Sequence, residues 1–237
     1  MEARILFDKG GIDSKLSIGW GFSCLIDGRI LFDTGESGIF LLNNMGIMNI
    51  NISKIEAVVI SHDHWDHTGG LWELLKKKTG VTVYACPHFS REFKEKVKES
   101  KGVLIEADKL KEISRNIFVS GEIPGAYHGR HMQEQALIIK TENGITIITG
   151  CAHPGIVKMV RVIKEKFPGE RVYSVLGGFH LMEEDKRAVE IAAERFKEMN
   201  VKKAGPTHCS GKEAERIFKD KYGNDFIPVK VGQTLDV

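Results

Sequence analysis

Residues 55–75 constrain this 237-residue chain more than any other stretch. Ile55-Glu56-Ala57-Val58-Val59-Ile60 is a short apolar run rich in β-branched residues, and it reads as a buried strand. Ser61-His62-Asp63-His64-Trp65-Asp66-His67-Thr68-Gly69-Gly70 follows. Leu71-Trp72-Glu73-Leu74-Leu75 then opens a helix, with Thr68 as the expected N-cap. Four ligand-type side chains, His62, His64, Asp66 and His67, thus lie on a loop at the carboxyl end of a strand, where α/β proteins place their sites. Mixed nitrogen and oxygen donors suit zinc, manganese or iron better than calcium or magnesium. Gly69 and Gly70 are expected to let the backbone turn tightly beneath a metal.

Residues 4–7, 18–26 and 29–33 read as strands, with an Asp27-Gly28 hairpin turn between the last two. Phe32-Asp33-Thr34-Gly35 ends the third, before a helix over 37–45. Two readings of Asp33 stand: it orients a ligand histidine, or it only caps that turn. A strand over 81–85 and a charged helix over 89–100 come next, with His88 as a surface or capping residue. Short strands at 103–105 and 116–119 precede a glycine-rich stretch without period, Gly121 to Glu134. Long loops of this kind often bind or cover a ligand. In it His128, Arg130 and His131 offer positive or polar groups to an anionic substrate; the plainer alternative is a surface loop.

A hairpin is expected over 136–140 and 144–149, then helices over 156–167, 184–199 and 211–222, and strands over 172–178, 203–207 and 227–231. Three further strand ends deliver His153, His180 and His208. The pattern fits one αβ domain over residues 1–237: a four-layer αββα sandwich of two mixed sheets with helices outside. A hydrophobic fraction of 42%, a charged fraction of 28% and a net charge of +2 give no reason to invoke nucleic acid or membrane. No apolar run approaches the ~20 residues that span a bilayer. The N-terminus lacks an apolar signal region, and Cys24, Cys86, Cys151 and Cys209 are scattered without a CxxC pair. A cytoplasmic protein is expected.

The His62-x-His64-x-Asp66-His67 pattern resembles the HxHxDH signature of the metallo-β-lactamase superfamily. Gly150-Cys151-Ala152-His153-Pro154-Gly155, Gly177-Gly178-Phe179-His180-Leu181 and Pro206-Thr207-His208-Cys209 resemble a smaller subfamily of metal-dependent hydrolases within it. The resemblance covers almost the whole chain. It implies two divalent ions, zinc first, with manganese or iron as alternatives. His62, His64 and His153 would serve the first ion, and Asp66, His67 and His208 the second. Cys151 stands where the superfamily usually has a bridging aspartate; it is either a thiolate ligand or a small buried support. Cys209 is expected to pack. Asp66 and His180 are the expected catalytic side chains, His180 through proton transfer or substrate orientation.

A metal with an open coordination position lowers the pKa of bound water from 15.7 to roughly 7. Hydrolysis of an ester, lactone or phosphoester bond by a metal-bound hydroxide is therefore the leading expectation. The substrate would be a small molecule, anionic or pterin-like. Some members of the resembling subfamily are described as pterin-transferring synthases, which gives a second reading. A metal-binding sensor without turnover is the third.

Overall fold

The computed structural model describes residues 1–237. They form two compact units, Met1–Asp108 with Lys230–Asp236, and Lys109–Val229 with Val237. Each has its own sheet and apolar core.

Numbered along the chain, the first unit holds β1 (Glu2–Phe7), β2 (Ser23–Ile26), β3 (Ile30–Phe32), β4 (Ala57–Val59), β5 (Thr82–Ala85), β6 (Val103–Glu106) and the last strand, β15 (Thr234–Asp236). The sheet order is β15-β1-β2-β3-β4-β5-β6. Its first four strands pair antiparallel, and β3 to β6 pair parallel. The mixed character follows from the connections. Asp27-Gly28 closes β2 onto β3 with both residues at positive φ, as a tight hairpin needs. Parallel strands need crossovers, which α1 (Gly38–Ile47), α3 (Leu71–Lys77) and α4 (Arg91–Glu99) supply. Leu41, Met45, Leu71, Leu74, Leu75, Phe93 and Val97 join the strand residues Leu25, Val58 and Val83 in the core.

The second unit holds β7 (Lys111–Ser114), β8 (Ile117–Val119), β11 (Leu137–Thr141), β12 (Gly144–Thr149), β13 (Val172–Gly178) and β14 (Lys203–Thr207), ordered β14-β13-β12-β11-β8-β7. The three strands β12 to β14 are parallel; β12, β11, β8 and β7 are antiparallel neighbours. Helices α5 (Ile156–Lys166), α6 (Lys186–Glu198) and α7 (Gly211–Tyr222) bury Met159, Ile163, Val189, Phe196 and Phe218 against Ile145, Ile147 and Val175. β9 (Ile123–Tyr127) and β10 (Arg130–Glu134) form a separate two-stranded sheet.

Several expectations are corrected. Residues 18–22 are not strand. Gly21 has φ +123, and a Cβ there would lie 2.1 Å from the Asp66 carbonyl oxygen, so this segment is shaped by contact with the histidine loop. The aperiodic stretch 121–134 is largely the β9–β10 hairpin, closed by His128-Gly129 with both residues at positive φ. A glycine-rich strand with mixed polarity hides its period. Residues 227–231 form no strand: Val231 makes an isolated bridge to Gly11, and Phe226, just before the segment, one to Ala204; Pro228 has no N–H for a ladder, and the terminal strand is β15. The cap of α3 is Gly70, not Thr68; Trp65–Thr68 forms its own short helix, α2, and Thr68 Oγ1 donates to the His64 carbonyl at 3.1 Å. Ser90 caps α4, and His88 is exposed, the surface alternative of its two readings.

Candidate metal and catalytic site

In the first unit the histidine loop is built on Asp33. This fully buried residue directly follows β3, at φ +52. Its carboxylate accepts from the Ser61 N–H and the Ser61 hydroxyl, each at 2.7 Å, and lies 2.7 Å from His67 Nδ1. The Ser61 hydroxyl oxygen is also 2.9 Å from His62 Nδ1. One carboxylate therefore orients His67 directly and His62 through a serine. The helix that follows is capped by Ser37 instead. Burial raises the Asp33 pKa, and burial alone would lower that of His67; the neighbouring Asp33 charge overrides it and lifts His67 well above its ordinary value.

His62, His64 and His67 cluster, with ring centroids 4.7 Å apart for His62–His64 and 4.2 Å for His62–His67. Asp66 Oδ2 stands 3.4 Å from His67 Nε2. The loop is held from beneath: Thr34 sends both its N–H (2.9 Å) and its hydroxyl (2.7 Å) to the His67 carbonyl. Asp63 points elsewhere and accepts from the Ser90 N–H at 2.7 Å. Gly69 and Gly70 do not take positive φ; both are right-handed helical. Glycine is needed there for closeness, because a Cβ would lie 2.1 Å from the Glu36 carbonyl oxygen at Gly69 and 2.2 Å from that of Thr34 at Gly70.

In the second unit the organising carboxylate is Glu134, at the end of β10 and fully buried. It accepts from the N–H groups of Cys151, Ala152 and His153 at 2.8–2.9 Å and lies 3.1 Å from His153 Nδ1. Burial would raise its pKa, but His153 and these N–H groups hold it down at about 2. Ala152 sits at φ +66, which turns His153 back toward the carboxylate. His180 and His208 leave β13 and β14 at φ +52 and +50. The ligand atoms of Cys151, His153 and His180 lie within 4.8 Å of one another, as do those of Cys151 and His208. Cys209 is buried, as packing requires, and its Sγ donates to the Cys151 carbonyl at 3.6 Å. Burial alone would raise its thiol pKa, but hydrogen bonds with Cys151 and His180 bring it well below its ordinary value, and the same Cys209 contact raises His180. His128, Arg130 and His131 are exposed on the β9–β10 hairpin.

Sequence reasoning missed Glu134, Ser61 and the Cys209–His180 contact. A serine beside a ligand histidine carries little signal, and Glu134 stood in a stretch read as loop. All four cysteines are buried without disulfides. A cavity of about 700 Å³ lies at the opposite ends of β13 and β14 from the histidines, lined by Lys164, Arg171, Tyr173 and Lys202 among others. It therefore plays no part in the histidine chemistry.

The donor sets fit a divalent metal. Each unit pairs buried imidazoles with a carboxylate on one ring nitrogen, the arrangement that fixes the tautomer of a metal-binding histidine. The family model described as the metallo-β-lactamase superfamily matches residues 23–208. The chain belongs to the metallo-β-lactamase superfamily. Its fold is that of the superfamily, two mixed sheets flanked by helices. A 7,8-dihydropterin-6-methyl-4-(beta-D-ribofuranosyl)-aminobenzene-5'-phosphate synthase of Methanocaldococcus jannaschii is 30% identical, covering 96% of this chain and 93% of that protein. The crystal structure of Tm1679, described as a metal-dependent hydrolase of the β-lactamase superfamily, is 29% identical with a TM-score of 0.83, covering 100% and 99% of the two chains. Zn(2+)-bound PqqB from Methylobacterium extorquens shares the fold at a TM-score of 0.64 and 15% identity, covering both chains completely. No helix is long and apolar enough to cross a membrane.

Proposed function

We propose that this chain is a metal-dependent hydrolase acting on an ester, lactone or phosphoester bond of a small anionic molecule. The observation that carries the reading is the pair of buried carboxylates. Asp33 engages His67 Nδ1 and Glu134 engages His153 Nδ1, so in both rings the opposite nitrogen is the one oriented for a ligand bond. In this reading His62, His64 and His153 serve one divalent ion, zinc first, and Asp66, His67 and His208 a second, with Cys151 as an additional donor. Bound there, the metal supplies Lewis acidity and brings the pKa of water down to roughly 7. The chain's own residues then hold and move protons. Asp66 is an acceptor for a proton of the attacking water. His180, whose ring centroid lies 4.6 Å from that of His153, is the side chain placed to pass a proton to a leaving oxygen. The four buried thiols support a reducing, cytoplasmic setting.

A second reading is favoured by the Methanocaldococcus jannaschii synthase, which matches over nearly the full length. There the same metal would assist departure of pyrophosphate as a pterin-methyl group passes to an arylamine.

The experiment is a zinc- or manganese-loaded preparation assayed on ester, lactone and phosphodiester panels before and after chelation. Hydrolysis lost on chelation and regained with metal supports the proposal. Inertness together with tight binding of a dihydropterin replaces it with the transfer reading. Inertness with only a conformational response to metal leaves a sensor. Elemental analysis of His62→Ala, His64→Ala, Asp66→Ala and His208→Ala tests the ligand sets; unchanged stoichiometry in all four would sink them.

A further inference from the structure

The β9–β10 hairpin does more than cover a surface. Residues directly opposite on an antiparallel pair share one face. Tyr127 pairs with Arg130, Gly125 with Met132 and Ile123 with Glu134, so these six stand on the same face of the ribbon. That face is anchored on the Gly150–Gly155 turn. Glu134 takes three N–H groups from it. Gly125 approaches so closely that a Cβ would lie 2.7 Å from Pro154 N. Lys158 Nζ holds the hairpin from outside, donating to the Pro124 carbonyl at 2.6 Å.

The anchoring fixes where the tip residues fall. The Tyr127 ring meets His153 at 4.9 Å and His180 at 5.5 Å between centroids, at interplanar angles of 68° and 76°, and those two histidines are 4.6 Å apart. His128 lies 4.1 Å from the same tyrosine ring. Arg130, exposed, is the cross-strand partner of Tyr127. An exposed arginine by itself means little. One held in register with a tyrosine that lies against His153 and His180 is different. A guanidinium binds phosphate as a two-pronged donor, and a tyrosine ring offers a flat apolar face to a planar group.

We infer that Tyr127 and Arg130 form a substrate clamp selecting small molecules that combine an aromatic ring with a phosphate group. The inference rests on the metal-dependent reading above only in taking His153 and His180 as part of the reaction centre. Arg130 takes the phosphate and Tyr127 takes the ring.

The test is calorimetric binding of two probes, inorganic phosphate and phenyl phosphate, to the zinc-loaded chain, with zinc content measured in every preparation. Arg130→Gln should weaken both probes about tenfold, and Arg130→Lys should recover part of the loss. Tyr127→Leu should weaken phenyl phosphate about tenfold while leaving inorganic phosphate nearly unchanged. Tyr127→Phe, which keeps the ring, should bind as the parent does. Unchanged affinities in Arg130→Gln or Tyr127→Leu overturn the clamp. So does an equal loss of both probes in Tyr127→Leu, which would mark a collapsed hairpin. Because the readout is binding, the two readings separate. An inert chain showing this pattern keeps the clamp and loses hydrolysis; an active chain with unchanged affinities does the reverse.

Discussion

Replacing Glu134 by Gln keeps the side-chain volume and removes the charge that faces three N–H groups and His153. Carboxylates behind metal-binding histidines typically contribute 10–100-fold to metal affinity. Glu134→Gln should therefore lose metal to a competing chelator about 10–100-fold more readily than the parent. Parent-like retention would reduce Glu134 to a turn-former. His180→Ala should behave oppositely, keeping its metal and losing about 10²–10⁴-fold in turnover on whichever panel substrate is found. Metal loss in that variant would make His180 a ligand. At this scale the sequence was legible where chemistry is written in residue type: six imidazoles and one aspartate in four short motifs. It was silent where function depends on a partner distant in the chain. Glu134 is 19 residues from His153, and nothing in its local pattern separates it from a surface glutamate. Asp33 was legible only because it sits in a motif; Ser61, which links it to His62, was not.

Elements depend on backbone approach as much as on pattern. Gly69 and Gly46 are both right-handed helical or nearly so, yet they should respond oppositely to alanine. At Gly69 the new methyl meets the Glu36 carbonyl oxygen, whereas at Gly46, within α1, nothing lies within 4 Å. Gly69→Ala should lower stability by roughly 2–4 kcal/mol, through overpacking against backbone that cannot yield. Gly46→Ala should raise it by about 0.5–1 kcal/mol, through helix propensity. Denaturant midpoints of the two variants check the pair, and a common sign would refute the close-approach argument. The helices were readable because a single buried face imposes a period, and the buried parallel strands because burial on both faces leaves an unbroken apolar run. The β9–β10 hairpin was not, because one of its strands carries Pro124 and Gly125 and the other is largely polar. Residues 18–22 misled for the opposite reason: Ile18, Trp20 and Phe22 alternate as a strand would, yet Gly21 between them, at φ +123, lies against the Asp66 carbonyl and takes the segment out of any ladder.

For the whole molecule, the depressed pKa of Glu134 becomes a dependence of stability on pH. Its ordinary value is 4.5 and its folded value is about 2. A group lowered on folding stabilises the fold above its unfolded pKa and loses that contribution as pH falls through the folded one. Metal-free protein should therefore lose on the order of 3 kcal/mol between about pH 4.5 and pH 2 through this residue. The Glu134→Gln variant should show a shallower decline over the same interval in equilibrium unfolding. Equal slopes would mean that Glu134 is not ionised in the folded state. The left-handed backbone at His180 and His208 has a different kind of consequence. Such positions favour glycine or asparagine, and a bulkier residue costs roughly 1–3 kcal/mol. A library varied at every position and sorted for thermal endurance alone will drift toward asparagine or glycine at 180 and 208. The same library sorted for turnover will hold histidine. Sites where the two sorted populations part company would outline the reacting centre of this chain before any natural substrate is known.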